Sequence, residues 1–196
     1  DVDLFAAGVP CPPFSIAGKQ LGTDDDRDMF PEALRLIEEM KPKAVLLENV
    51  PGFASNKFSY YRDKLQMQLL NIGYESDWRV LQASNYGVPQ LRPRFILVAF
   101  PNKRMPFYEW PQAREMQTTV GNTLCDLMGQ KGWKGTDKWV HNAQKIAPTI
   151  VGGSKKHGGP DLGPTRARKQ WLELGVDGLG IANEPPLPDF PVDGLP

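Results

Sequence analysis

A cysteine held between two prolines is the residue of this sequence best suited to nucleophilic chemistry. Pro10 and Pro12 flank Cys11, which follows an apolar stretch over 2–7. Proline fixes φ and removes a backbone donor, so this segment cannot form part of a helix or a sheet. We therefore expect the thiol to be displayed on a stiff loop, as a nucleophile that must be aimed requires.

An acidic residue closes a second apolar run. Glu48 and Asn49 directly follow the run over 44–47. Catalytic and binding residues of parallel α/β sheets gather at the carboxyl ends of the strands, so we expect Glu48 at that edge of a sheet. The alternative is that Glu48 only caps the next turn.

Two arginines and a glutamine form the third polar group. Gln90, Arg92 and Arg94 alternate just ahead of an apolar run over 95–100. Pro93 favours extended geometry at the residue before it, and alternation along an extended chain places all three side chains on one face. Two guanidiniums beside an amide suit anion binding or the clamping of a loop. The alternative is ordinary charge on an exposed edge strand.

The elements that must position these groups predict an α/β fold. Helical and strand-like apolar spacing alternate over residues 1–100. The predicted elements are a buried strand over 2–7, a helix entered at Pro31 and ended by Lys41-Pro42, a strand over 44–47, a helix closed by Gly73, a strand around Trp78 and a strand over 95–100. This order predicts a mostly parallel sheet covered by helices.

The pattern changes near Met105, after which glycine and proline are frequent and apolar periodicity is short. We therefore expect two parts, a catalytic half over 1–104 and an irregular, smaller part over 105–196 that ends in an extended connector. Glycine pairs flank Lys155 and Lys156 in the second part and would let the backbone approach phosphates closely. Arg166 and Arg168 follow and would add to this basic surface. The alternative is a solvated, charged loop.

Together the three motifs resemble the cytosine-C5 methyltransferase family. The nucleophile motif Pro-Cys-x-x-Phe-Ser matches residues 10–15, Glu-Asn-Val matches 48–50, and Gln-x-Arg-x-Arg matches 90–94, in the family's order. The segment 27–30 weakly resembles a helix entry of the family, with one residue deleted and a glycine missing. The resemblance implies a Rossmann-like methyltransferase fold, followed by a target-recognition region after Met105.

The resemblance also implies a role for each matching residue. Cys11 would add to C6 of cytosine, Glu48 would protonate or hydrogen-bond N3, and C5 would then accept a methyl group from S-adenosylmethionine. Asn49 would order the loop, and Arg92 and Arg94 would hold the nucleotide and the cysteine loop. Contacts to the methyl donor would come from Pro10 and Met29, and contacts to DNA from Ser15 and Gln90.

The implied partner is double-stranded DNA, from which the target cytosine must be flipped at a cost of about a few kcal/mol. The 23 basic and 23 acidic residues cancel, so any nucleic-acid surface must be local rather than that of a polycation. The only cysteines are Cys11 and Cys125, in contexts that favour a reducing cytoplasm over a disulfide. No apolar run reaches membrane-spanning length, and no cysteine-histidine spacing suggests a metal. The resemblance implies an enzyme of a restriction-modification or orphan system, which we expect to be monomeric and cytoplasmic.

The Phe-x-Gly-x-Gly loop with which this family binds S-adenosylmethionine does not occur in these 196 residues. The sequence thus resembles the middle of such an enzyme, and we expect these residues alone neither to bind the methyl donor tightly nor to methylate DNA. Micromolar binding in a calorimetric titration would contradict that.

Three other functions are compatible with parts of the pattern. The related enzymes that methylate tRNA share the three motifs, although their Cys-Phe-Thr tripeptide is missing from this sequence. A nucleic-acid-binding module with vestigial catalytic residues is the second. The third, a thiol hydrolase, is disfavoured because neither His141 nor His157 follows a recognisable strand end.

Overall fold

The computed structural model describes residues 1–10, 28–151 and 161–196, and the chain divides into two compact units. The first unit comprises Asp1–Leu81 and Pro93–Pro111, and the second comprises Gln82–Arg92 and Gln112–Pro196. Residues 82–92 thus group with the second unit, although they lie inside the range expected for the catalytic half. Among the described residues, no helix combines the length and the apolar character needed to cross a membrane.

The first unit is an α/β structure, as the alternation of elements predicts. Its strands are β1 (Leu4–Gly8), β2 (Ala44–Asn49), β3 (Tyr74–Gln82) and β5 (Pro93–Pro101), and its helices are α1 (Phe30–Met40) and α2 (Ser59–Asn71). The strands form one sheet in the order β1-β2-β5-β3.

The sheet is mixed rather than mostly parallel. β1 and β2 run parallel, with Gly8 opposite Glu48, whereas β2 and β5 run antiparallel, with Asn49 opposite Phe95. β5 follows its neighbour β3 through the connection over 83–92, which is shorter than the crossover of about a dozen residues or more, usually a helix, that a parallel return needs.

The first strand is half-exposed and not the buried strand expected from its composition. β1 alternates exposed and partly buried positions, and 53% of the Leu4 surface is exposed. Because β1 stands at the end of the strand order, it has a described neighbour on one side alone. Apolar composition therefore does not report burial here.

Both helices of the first unit place side chains in its core. Pro31 occupies the first turn of α1, Phe30 and Ile37 are buried, and the helix ends at Lys41 in the left-handed conformation, as the sequence predicts. The buried face of α2 carries Leu65 and Leu69 and also Arg62. Aromatic rings from three elements meet in this core, where Phe53 contacts both Phe30 and Phe95.

The second unit is more ordered than its irregular sequence suggests. It contains α3 (Val120–Gly129), α4 (Thr136–Asn142) and α5 (Thr165–Leu172), and a two-stranded sheet of β4 (Gln90–Leu91) and β6 (Ala147–Pro148) in parallel. Three tryptophans are buried in its core, namely Trp133, Trp139 and Trp171. Each indole buries a large area from a single position, so this core forms without a regular apolar stripe.

The end of the chain packs on this core and is not a free connector. Phe190 makes an edge contact with Trp133 at 5.6 Å between centroids, and the Trp133 indole donates to the carbonyl of Pro191. The Asp177 amide donates to the carbonyl of Pro196 at 3.0 Å. Residues 185–196 thereby contribute to the second unit.

Candidate active site

Glu48 stands at the carboxyl end of β2 and forms an ion pair with Arg94. The Glu48 Oε1 to Arg94 Nε distance is 2.6 Å, and the side chains are 36% and 24% exposed. The 3₁₀ helix over Pro51–Ala54 shows no side-chain cap, so capping of that turn does not account for Glu48. Partial burial strengthens such a charge-assisted contact relative to one in bulk water.

Arg94 reaches Glu48 because β5 is antiparallel to β2. Arg94 lies near the amino end of β5, just ahead of the apolar run over 95–100. Antiparallel pairing brings that end to the carboxyl end of β2, where Ile96 lies opposite Glu48. The Arg94 Nη1 also donates to the carbonyl of Pro93 at 2.7 Å. The guanidinium is thus held from two sides.

Asn49 connects the end of β2 to the segment that leads to Cys11. Only 2% of Asn49 is exposed, and its Oδ1 accepts from the Val50 amide at 2.8 Å. Its Nδ2 donates to the carbonyl of Val9 at 3.4 Å. Val9 is itself buried, two positions ahead of the cysteine. The amide therefore fixes the chain on both sides of the candidate site.

Gly8 lies next to Oε2, the second oxygen of the Glu48 carboxylate. A Cβ built on Gly8 would lie 3.5 Å from Glu48 Oε2, an ordinary van der Waals distance. Gly8 is the register partner of Glu48 on β1. The carboxylate is thus held through Oε1 by Arg94, and Oε2 lies over the end of β1.

Several predicted site residues lie outside the described residues or at their border. Cys11, Ser15, Lys155 and Lys156 belong to the undescribed segments 11–27 and 152–160. Pro10 is exposed at the end of the first described segment.

Met29 lies at the start of α1, beside a carboxylate that the sequence reasoning did not select. Met29 is the N-terminal flanking residue of α1 and is 42% exposed. The Asp28 carboxylate accepts from the Phe30 amide at 3.0 Å and from the Tyr61 hydroxyl at 2.5 Å. Burial, and then this hydrogen bond to Asp28, raise the pKa of Tyr61 well above its ordinary value. Asp28 therefore joins the entry of α1 to α2.

The Gln90-Arg92-Arg94 group is divided between the two units, with Gln90 and Arg92 in the second and Arg94 in the first. Gln90 belongs to β4 of the second unit, where its Oε1 accepts from the Ile150 amide at 3.2 Å. Arg92 also belongs to the second unit, and its carbonyl accepts from the Ala83 amide at 3.2 Å. The expected single face is interrupted at Pro93, where the chain enters the four-stranded sheet.

The two described arginines of the predicted DNA surface differ in their surroundings. Arg166 on α5 is exposed. Arg168 is half-buried, with its Nη1 3.7 Å from Oδ2 of the buried Asp161 and its Nη2 3.4 Å from the Thr165 hydroxyl. Arg168 therefore interacts within the second unit, whereas Arg166 lies at its solvent-accessible surface.

Arg62 is a residue near the site that the sequence reasoning missed. It is 7% exposed, donates to two carbonyls of the segment that follows Asn49, and lies over the ring of Trp78. An arginine in a helix usually indicates a surface charge. The sequence feature that could have revealed its burial is its position three residues before Leu65, on the same face of α2.

Comparison with known proteins identifies the relatives of the chain. The profile of the family described as C-5 cytosine-specific DNA methylase matches residues 1–171. The Type II methyltransferase M.NaeI of Lentzea aerocolonigenes is 57% identical over 187 residues, which cover 95% of this chain and 45% of that protein. The Type II methyltransferase M.NgoMIV of Neisseria gonorrhoeae is 51% identical over 151 residues, covering 76% and 48%. The chain thus spans about half the length of these two curated relatives.

Proposed function

The chain belongs to the C-5 cytosine-specific DNA methylase family, and on that premise we propose that it acts in methyl transfer to C5 of cytosine in DNA. The observation that carries the proposal is the pairing of Glu48 with Arg94 at the end of β2, next to the Asn49 contact with the segment leading to Cys11. The Glu48 carboxylate and the segment that leads to the Cys11 thiol therefore lie at the same edge of the sheet.

The first step of the proposed reaction is the addition of Cys11 to the target base. The thiolate sulfur forms a bond to C6, and the electron pair of the C5–C6 double bond moves toward C5 and the N3 side of the ring. Glu48 hydrogen-bonds or protonates N3, which stabilises the charge that accumulates there. Since Oε1 is engaged by Arg94, Oε2 is the oxygen we assign to N3.

The later steps restore the aromatic ring. After C5 has gained the methyl group, a base removes the C5 proton, and the electron pair of that C–H bond re-forms the C5–C6 double bond as the Cys11 sulfur leaves. In this scheme Asn49 and Arg94 are positioning residues, since Asn49 holds the segment ahead of Cys11 and Arg94 holds the carboxylate.

Membership of this family implies S-adenosylmethionine, which when bound supplies an electrophilic methyl group. We propose that Pro10 and Met29 contact it. Both residues are exposed, so their apolar surface is available to such a ligand.

We propose double-stranded DNA as the substrate and a monomer in the cytoplasm, as part of a restriction-modification system, as the working state. Residues 1–104 would carry the catalytic half and residues 105–196 the recognition region. Contacts to DNA would come from Ser15, Gln90, Lys155, Lys156, Arg166 and Arg168. The exposure of Arg166 favours it over Arg168 as a phosphate contact.

The test is methyl transfer by the protein at its full natural length, with DNA and tRNA as competing substrates. We expect 5-methylcytosine in the DNA, its loss in Cys11→Ser, and a reduction of roughly 100-fold in Glu48→Gln, because the amide cannot give a proton to N3. Methylation of tRNA in preference to DNA would assign the protein to the related branch. Binding of DNA without any methylation would reduce it to a binding module.

A further inference from the structure

We propose that Arg62 is a positioning residue for the active site, because it fixes the segment that follows Glu48 and Asn49. This inference rests on the proposed methyl transfer. It assigns to a side chain of α2 the task of keeping the carboxylate and the asparagine in the geometry that the reaction needs.

The guanidinium of Arg62 binds two carbonyls of one loop. Its Nη1 donates to the carbonyl of Phe53 at 2.5 Å and to the carbonyl of Ser55 at 2.7 Å. Both acceptors belong to the turns over 51–58 that connect β2 to α2. The Arg62 side chain thus binds this loop at two points.

The segment bound by Arg62 begins at the candidate active site. The Asn49 Oδ1 accepts from the Val50 amide, and the Val50 carbonyl accepts from the Phe53 amide at 3.1 Å. Phe53 is fully buried, and its carbonyl is one of the two that Arg62 binds. Consecutive hydrogen bonds therefore link Arg62 to Asn49 through one turn.

Arg62 also contacts a stack of aromatic rings that leads to β5, the strand that carries Arg94. The Arg62 guanidinium lies 4.8 Å from the ring centroid of Trp78. Trp78 in turn stacks on Phe95, with centroids 5.1 Å apart and an angle of 28° between the planes. Phe95 is the neighbour of Arg94 in sequence and the register partner of Asn49. Arg62 thus contacts the surroundings of the site through both the loop and the sheet.

The chemistry of these contacts requires arginine. A guanidinium is planar, so its Nη1 can donate to both carbonyls while its face lies against the indole of Trp78. A lysine ammonium can also donate to carbonyls but has no planar face to stack. Methionine fills the space but leaves the two carbonyls without their donor.

A role confined to the stability of the core would also explain a buried arginine, so the experiment must separate the two. We would prepare Arg62→Met and Arg62→Lys in the full-length protein. Arg79→Met is the matched control, because Arg79 is an exposed arginine of the same unit whose guanidinium lies 5.3 Å from the ring centroid of Trp110. Turnover would be expressed per active site, counted from the endpoint of covalent trapping on DNA containing 5-fluorocytosine.

We expect Arg62→Met to lower kcat per trapped site by roughly 10- to 100-fold with KM for DNA nearly unchanged, as small misplacements of catalytic groups do. Arg62→Lys should recover part of that loss, and Arg79→Met should behave as the wild type. Amide hydrogen exchange over 50–58 should accelerate in Arg62→Met and remain unchanged in Arg79→Met.

An unchanged kcat per trapped site in Arg62→Met would overturn the proposal, and so would equal exchange over 50–58 in the Met variants at both positions. Full recovery by lysine would also refute the need for a planar side chain that stacks on Trp78. If the wild type neither methylated nor trapped DNA, the proposed function would fail, while the exchange measurement would still decide whether Arg62 fixes the loop.

Discussion

Replacing Asn49 with leucine should destabilise the first unit and weaken the link between β2 and the segment before Cys11. The side chain is 2% exposed and makes two hydrogen bonds, to the Val50 amide at 2.8 Å and the Val9 carbonyl at 3.4 Å. Leucine is similar in size, so its main effect is to leave a partly buried donor and a buried acceptor unpaired.

The magnitude follows from these two contacts. An unsatisfied buried polar group costs about 1–3 kcal/mol. The short bond to Val50 falls in the middle of this range and the long bond to Val9 at its lower end, so Asn49→Leu should lower the free energy of unfolding by roughly 3 kcal/mol. Asn71→Leu is the control, since Asn71 is exposed at the end of α2.

Urea unfolding, followed through the NMR signals of β2 and β5, measures this loss. We expect a lower midpoint with an unchanged dependence on urea concentration. Equal stability of Asn49→Leu and Asn71→Leu would refute this expectation, because the two hydrogen bonds of Asn49 would then contribute nothing.

Three further substitutions test other contacts. Arg94→Met should slow covalent trapping of 5-fluorocytosine DNA by roughly tenfold, because Glu48 loses the partner that orients it. Gly135→Ala should lower the melting temperature of the second unit, since a Cβ there would overlap the Trp133 ring, a clash that costs about 1–3 kcal/mol. Tyr61→Phe should reduce the loss of stability above about pH 10, where the unfolded tyrosine ionises while burial raises the pKa of the folded one.

The sign of the alkaline effect follows from the two protonation states of Tyr61. Above about pH 10 the folded wild type retains a proton on Tyr61 that the unfolded state releases, so stability falls with rising pH. Tyr60→Phe, at an exposed position, should leave the wild-type alkaline slope unchanged.

Gly180→Ala, the control for Gly135→Ala, has open space around its Cβ and should not alter the melting temperature. Arg92→Met should trap faster than Arg94→Met, and equal rates would contradict the special role of the Glu48 pair.

Much of the first unit could be predicted from local sequence. Proline in the first turn of α1 and apolar spacing along α1 and α2 fix these helices, because both features act within one element. The site residues Glu48 and Asn49 follow from the same logic, since they directly end a strongly apolar strand. The direction of β5 was missed because it depends on the length of the preceding connection rather than on composition.

The remaining differences come from tertiary contacts that have no local signal. The core of the second unit depends on three tryptophans brought together from distant positions, so its order is invisible to periodicity. Arg62 has the residue type of a surface side chain, and its burial depends on two carbonyls and an indole supplied by other elements. The exposure of β1 depends on its place in the sheet, which the composition of an apolar strand does not report.

The most direct test of the central claim is to locate the covalent bond itself. The full-length protein would be incubated with S-adenosylmethionine and a DNA duplex containing 5-fluorocytosine, and the cross-linked peptide would be identified by mass spectrometry. We predict a single adduct on Cys11 that disappears in Cys11→Ser. An adduct on Cys125, or catalytic methylation that persists in Cys11→Ser, would contradict the account.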